Sequence, residues 1–342
     1  MLGSPYRRSE LVAVFARHVL ISSLKNEGPF ILEWVAHHRV LGFDAIYVAS
    51  NDCSDGSDAL LAALDRAGII GHVPNEVAPG VIPQHAGYDR IRATHAIDRA
   101  EWLMMLDTDE FLNIHIGQNR VQDLTDRAGT ADIIAVSARS FSDLPQTHWK
   151  PGPVTCAFPM ALGLTHRANQ SVKTLTRDPA RFRGIHNHHM VGYRGKTSLQ
   201  VFCAQNGSSY PLERGTPLGD KFRHIPKEQV GYDLAQYNHY PIKTLDSYLL
   251  RQARGRGAAA KPDAASEAEN NRHTMEYFTL RAGRGQPEHS IRRYDAEVEA
   301  LIATLLADPQ IATAQRTCEA AHAAAARAHV DRLTDPEDSP GV

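Results

Sequence analysis

The chain has little cysteine, no long apolar run and no surplus of charge. Only four cysteines occur in 342 residues, at 53, 156, 203 and 318. No two form a C-x-x-C pair, which excludes a dense disulfide framework and a paired-cysteine zinc site. The expectation is a protein of a reducing compartment, placed in the cytoplasm. No stretch reaches the roughly 18 uninterrupted apolar residues that a membrane-spanning helix requires. Charge is balanced, with 37 Lys and Arg against 39 Asp and Glu. A dedicated nucleic-acid binder needs a surplus of cations for phosphate contacts, so no nucleic-acid partner is expected. There are 18 histidines but no H-E-x-x-H pair, which removes the commonest helical zinc-protease pattern. No G-x-G-x-x-G follows the first strand, against a nicotinamide dehydrogenase.

What is present reads as an ordinary globular chain. Apolar residues make up 42% and charged residues 22%, enough for a large core and against a wholly disordered chain. Arg7 and Arg8 precede an apolar run from Leu11 to Leu24, but Arg17 and His18 interrupt it and no small-residue cleavage site follows. The run reads as a buried strand over Val12–Ser23 rather than a signal peptide.

Strand-like and helix-like segments then alternate. A helix is expected over Pro29–Leu41, opened by its proline, then a strand over Ala45–Ala49 and a helix over Asp58–Ala67. A strand over Ile69–Val73, a helix over Gln84–Ala100 and a strand over Trp102–Leu106 follow. This order predicts a parallel sheet with right-handed crossovers, whose ligands bind at the carboxyl ends of the strands. Polar clusters stand at those ends: Lys25-Asn26-Glu27, Asn51 to Ser57, and Asp107 to Glu110. Strand pieces such as Asp132–Ala138 suggest antiparallel additions. Arg254–Asn271 lacks periodicity and reads as a linker. Helices are expected over Tyr294–Leu306 and Pro309–Leu333, and a frayed tail over Thr334–Val342.

The strongest chemical signal is the apolar strand that delivers Asp107 and Asp109. If a turn follows Leu106, the two carboxylates can converge on a hard cation such as Mg²⁺ or Mn²⁺. The structural alternative is that Asp-Thr-Asp caps a following helix. The Asn51–Ser57 turn supplies short acceptors, with Asp52 or Asp55 available to a ribose or base. An Asx turn with Ser57 as N-cap fits it equally. His37 and His38 read as one packed and one solvated ring. Arg251, Arg254, Arg256 and Lys261 face either a diphosphate, a membrane or only solvent.

Lys25-Asn26-Glu27, Glu33-Trp34-Val35-Ala36-His37-His38, Leu41-Gly42-Phe43-Asp44, the Asn51–Gly56 turn and Leu106-Asp107-Thr108-Asp109-Glu110-Phe111 occur in one order. Asn238-His239-Tyr240-Pro241-Ile242-Lys243-Thr244 and Arg251 to Gly257 follow. Over about residues 10–257 this set resembles the glycosyltransferase family 2-like proteins, in the bacterial branch with lDxDEF and NHYxxKS motifs. The resemblance implies a GT-A fold: α/β, Rossmann-like, with a mostly parallel central sheet flanked by helices, antiparallel additions and a C-terminal helical extension. It divides the chain into a transferase domain over 1–250 and a linker with helices over 251–342. It also implies a metal-dependent, inverting transfer from a nucleotide diphosphate sugar, UDP-linked first, to a glycan or lipid-linked saccharide.

On this resemblance Asp107 and Asp109 hold Mn²⁺ or Mg²⁺ with His239, and His186 is the rival for the histidine's place. Lys25, Glu27, Asp52, Asp55, Arg92, Asp107, Lys243 and Arg251 bind the donor. Asp143 is the candidate base, with Glu213 as its substitute. The branch's acceptor segment is replaced here by Arg139 to Pro145. Peripheral contact with the inner face of a membrane is the partner expectation beyond donor and acceptor. A haloacid dehalogenase-like phosphohydrolase and a non-catalytic glycan-binding scaffold are the alternatives. The phosphohydrolase motif belongs on the first strand followed by Gly-Thr, whereas here it stands on the fourth, followed by Glu-Phe.

Overall fold

A computed structural model describes residues 16–143, 148–255, 257 and 273–334. The first half contains β1 (His18–Leu24), α1 (Ile31–Val40), β2 (Ala45–Ser50), α2 (Ser57–Arg66), β3 (Gly71–Pro74), α3 (Pro83–Thr94) and β4 (Trp102–Met105). Then come β5 (Glu110–Ile114), α4 (Val121–Ala128), β6 (Ile133–Ser140), α5 (Val154–Ala157), β7 (Met160–Ala161) and β8 (Val172–Arg177). The chain continues through β9 (Phe182–Ile185), β10 (Met190–Tyr193), β11 (Leu199–Cys203), β12 (Ser209–Leu212), α6 (Leu218–Phe222) and β13 (Ala235–His239). It ends with α7 (Leu245–Arg254), α8 (Met275–Thr279), β14 (Gln286–Pro287), α9 (Asp295–Leu306) and α10 (Pro309–Thr334).

The main sheet runs β12-β11-β6-β8-β4-β1-β2-β3, and β5 and β13 branch from β6. The expected mixed α/β architecture is present, with β4, β1, β2 and β3 mutually parallel. Side-chain alternation explains why β1 and β4 read as unbroken apolar runs. Leu20, Trp102 and Met104 enter one core, while Val19, Ile21, Leu103 and Met105 enter the core on the other face.

Several boundaries move. The first strand starts at His18, not Val12, and the helix before β4 stops at Thr94, followed by a 3-10 turn over Ile97–Arg99. Residues 12–15, Leu144 and Pro145, Arg256, Lys261, most of the expected linker and the tail beyond 334 lie outside the described residues. The boundary set at 250 falls inside α7. Helices α9 and α10 pack on α1, α2 and α7, against the elements that carry the motifs. No helix among the described residues is long and apolar enough to cross a membrane.

Candidate active site

The Asp107–Glu110 segment caps no helix. It forms a tight turn between β4 and β5, closed by the Glu110 N–H donating to the Asp107 carbonyl at 3.0 Å. The helix α1 holds that turn from behind. The Trp34 indole N–H donates to the carbonyls of Asp107 (3.1 Å) and Glu110 (3.0 Å), and His37 Nε2 meets the Leu112 carbonyl at 2.7 Å. Both His37 and His38 are buried, so neither is the solvated ring expected of the pair. Glu33 accepts from the N–H groups of Val154 (2.6 Å) and Thr155 (3.0 Å), satisfying donors at the start of α5. The Glu-Trp…His-His motif is therefore a clamp built on one helix, with its polar groups turned inward.

Antiparallel pairing of β5 with β13 sets Glu110 opposite His239, and the Tyr240 N–H donates to the Asp109 carbonyl at 2.9 Å. That register brings His239 Nε2 within 3.5 Å of the Asp109 carboxylate, which also pairs with the Arg251 guanidinium. Against the burial that would raise it, Arg251 and His239 hold the Asp109 carboxyl well below its ordinary range. Burial in turn lowers His239, opposed by Asp109.

The two aspartates do not converge. Asp107 Oδ1 accepts from Gln84 Nε2 at 2.6 Å, and Oδ2 faces Lys173 Nζ at 3.5 Å. Lys173 itself is fully buried on β8 and lies 2.8 Å from Glu110 Oε2. The cause of the separation is local competition: each carboxylate has found a cation or donor on its own side of the turn. No cluster of three His, Cys, Asp or Glu with metal-holding geometry occurs among the described residues.

Beside Asp109 lies a cavity of about 430 Å³ lined by Lys25, Asn26, Glu27, Asp52, Asp55, Lys243, Arg251 and Arg254, and by residues of α10. It brings together six of the residues expected to bind a donor. Glu27 pairs with Arg254, whose guanidinium also donates to the carbonyls of Lys25 (2.6 Å) and Asn26 (3.0 Å). Lys243 is buried, with its ammonium 4.4 Å from the centre of the Phe30 ring. Burial lowers its pKa, opposed by Glu27 and Asp109. Among the described residues no carboxylate comes within ion-pair distance of it. Three non-glycine residues of the lining hold positive φ: Asn26 (51°), Asp52 (47°) and Lys243 (46°). Such backbone is uncommon and collects at functional sites.

The turn after β2 is the expected Asx turn, made by Asp55, and Gly56 rather than Ser57 is the N-cap of α2. Asp55 Oδ1 accepts from the Ser57 N–H at 3.0 Å, and Oδ2 accepts from the Gly28 N–H at 3.0 Å, tying the two loops together.

Other expected residues lie elsewhere. Arg92 is not at the cavity: it pairs with Asp98 and donates to the carbonyls of Phe182 (2.9 Å) and Arg183 (3.1 Å). The reason is helix direction, because α3 presents Gln84, on its first turn, to Asp107 and carries Arg92 two turns away. Glu213 is exposed just past the edge strand β12, with no part in the cavity. Asp143 follows the end of β6, where Ser140 pairs with His239, and accepts from the Gly283 N–H at 2.7 Å. His186 packs in a cluster with His85 and His189, with ring centroids at 5.2 and 5.0 Å, and does not meet Asp109. Lys173, Gln84 and His322 went unnoticed in the sequence, where the strand Val172–Arg177 mixes apolar and polar residues and gives Lys173 no distinguishing mark.

No protein-family model matches the chain. It is 25% identical over 174 residues, half of its length, to a glycosyltransferase family 92 protein of Ricinus communis. A second family 92 protein, from Oryza sativa subsp. japonica, is 24% identical over 170 residues. The chain spans 31% and 28% of those two relatives. Among solved structures it resembles S. aureus TarS in complex with UDP, at 12% identity and TM-score 0.30 over 47% of each chain. It also resembles the mannosyltransferase PcManGT from Pyrobaculum calidifontis in complex with GDP-Man and Mn²⁺, at 13% identity and TM-score 0.30. That match covers 94% of this chain and 79% of the other.

Proposed function

We propose that this chain is a glycosyltransferase that moves a sugar from a nucleoside diphosphate donor, UDP-linked first, to a hydroxyl of a glycan or lipid-linked saccharide. The observation that carries the reading is Lys243: a buried ammonium with no carboxylate partner among the described residues, on strained backbone, facing a cavity at the carboxyl ends of β1 and β2. A buried cation left without a counter-ion is costly, and a diphosphate would supply one. At an effective dielectric near 20, one unit pair at 4 Å interacts by about 4 kcal/mol before desolvation is counted. The similarity to family 92 proteins supports glycosyl transfer as the chemistry.

In this reading Lys243, Arg251 and Arg254 hold the donor's diphosphate and stabilise it as the bond from the anomeric carbon to phosphate oxygen breaks. The new bond joins that carbon to the acceptor oxygen, whose proton passes to a carboxylate. Asp143 stands after the end of β6, the strand that pairs with β13 at His239, and is assigned that role.

The donor set of Asp109 and His239, already face to face, suits a Mn²⁺- or Mg²⁺-class ion; Asp107 is turned to Gln84 and Lys173 and would have to leave them to join it. Bound there, such an ion would neutralise charge on the leaving diphosphate. Arg251 now balances Asp109 and would have to share it.

The test is calorimetric titration with UDP and GDP, with and without Mn²⁺. The expected result is Mn²⁺-dependent UDP binding that Lys243→Met weakens and Asp109→Ala abolishes. Unchanged metal-dependent binding by Asp109→Ala would overturn the assignment. Release of UDP from a UDP-sugar then separates an enzyme from a binding scaffold, and turnover of an aryl phosphate would favour the phosphohydrolase.

A further inference from the structure

The cavity is not completed by the segment that carries the motifs. Among the described residues, α10 supplies a further wall through Ala321, His322 and Ala325. This helix is fixed close against the loops of the donor-binding residues. A Cβ placed on Gly28 would lie 2.6 Å from both Cβ and Sγ of Cys318, so only glycine beside Glu27 allows the helix to sit where it does. Gly56, next to Asp55, meets the same cysteine: a Cβ there would be 3.4 Å from Sγ.

His322 is buried and ties the two helices of the site together. Its Nε2 lies 3.0 Å from Ser247 Oγ on α7, the helix that bears Arg251 and Arg254. Its ring stands edge-on to Phe30 at 5.5 Å, and Phe30 carries the Lys243 ammonium over its face. Contacts therefore run from α10 through Phe30 to the Lys243 ammonium. On either side of His322, one residue before and three after, the helix turns alanine methyls towards the cavity, which leaves the space open.

We propose that α10 is the size-selecting wall of the donor cavity, with Ala321 and Ala325 as specificity-determining residues. This rests on the donor reading given above and adds to it the element that decides which donor fits. A leucine at either position adds three carbons to space that the ligand would occupy, and overfilled sites are penalised steeply. A 430 Å³ cavity is within the usual range for a small-molecule site but small enough that one side chain matters.

The experiment compares Ala321→Leu and Ala325→Leu with Ala324→Leu, which changes an exposed residue of the same helix outside the cavity lining. Calorimetric titration of the full chain uses UDP and GDP in the presence of Mn²⁺, with thermal unfolding as the check on folding. The expected result is a Kd for UDP raised at least tenfold in both cavity variants and within twofold of the parent in Ala324→Leu. Should Ala321→Leu fail to fold, Ala325, which is exposed at the cavity's rim, carries the comparison. Parent-like UDP affinity in a folded Ala325→Leu would overturn the wall while leaving the donor reading intact. A parent protein that binds neither nucleotide defeats the donor reading itself, and the wall with it.

Discussion

Lys173, fully buried on β8, lies 2.8 Å from Glu110 Oε2 and 3.5 Å from Asp107 Oδ2. Burial pushes the Glu110 carboxyl up and Lys173 holds it down, while Asp107 and Glu110 hold the ammonium protonated against its own burial. The ion pair is the electrostatic floor of the Asp107–Asp109 turn. Removing one partner of a buried pair leaves an uncompensated charge and typically costs about 3–5 kcal/mol. Lys173→Met should lose stability on that scale in urea denaturation, and Lys173→Met combined with Glu110→Gln should recover part of it. A single variant as stable as the parent would remove the lysine from this role.

The Trp34 indole bridges two carbonyls of the same turn from the opposite side. Trp34→Phe keeps most of the buried ring and deletes only the N–H. Leaving buried carbonyls unsatisfied costs about 1–3 kcal/mol. Because those carbonyls belong to Asp107 and Glu110, the loss should also appear as weaker Mn²⁺-dependent UDP binding. Loss of stability without any change in binding would make the clamp purely structural.

Three of the buried histidines illustrate what shapes the acid limb of stability. Burial holds His18, His37 and His322 down at about 4, whereas an unfolded histidine titrates near ~6.5. Their folded pKa values are depressed, so the native state keeps them neutral while the unfolded chain takes up protons. Stability from this source is fully present above about pH 6.5. It falls as pH drops towards 4, by up to roughly 3 kcal/mol per histidine, and changes no further below that. Urea midpoints measured at pH 7.5, 6 and 5 should fall steadily, and His37→Gln should flatten the slope. A midpoint independent of pH over that range would refute the assignment.

How much of this was legible in sequence depends on the range of the contacts involved. The β1 to β4 alternation is local hydrophobic periodicity, and it placed Lys25, Glu27, Asp52, Asp55, Asp107 and Asp109 at strand ends correctly. What periodicity lacks is partner choice between distant strands. The β5–β13 pairing that joins Asp109 to His239 spans more than a hundred residues, and here only a family resemblance hinted at it. β8 slots antiparallel between β4 and β6, so Lys173 reads as a half-exposed strand residue until the sheet buries both its faces. The C-terminal helix reads as an alanine-rich packing element because its contribution to the cavity is the small size of its side chains, a property visible only once the opposite walls are known.

Arg92 provides the converse case, a cation expected at the donor that lies outside every motif and that the fold turns to another task. Its side chain, mostly buried, ties α3 to the segment around Pro179–Arg183 through three carbonyls and pairs with Asp98 at 2.9 Å. Hydrogen bonds from a charged donor contribute about 1.5–3 kcal/mol, and truncation would strand those carbonyls at a partly buried joint. Arg92→Ala should therefore lower the urea midpoint by an amount equivalent to about 1.5–3 kcal/mol while leaving the Kd for UDP with Mn²⁺ within twofold of the parent. The contrast with Lys243→Met is the discriminating measurement, since that variant should weaken UDP binding far more than it disturbs folding. If instead Arg92→Ala abolished UDP binding in a protein of parental stability, the donor's phosphates would have to extend beyond the cavity to the far end of α3.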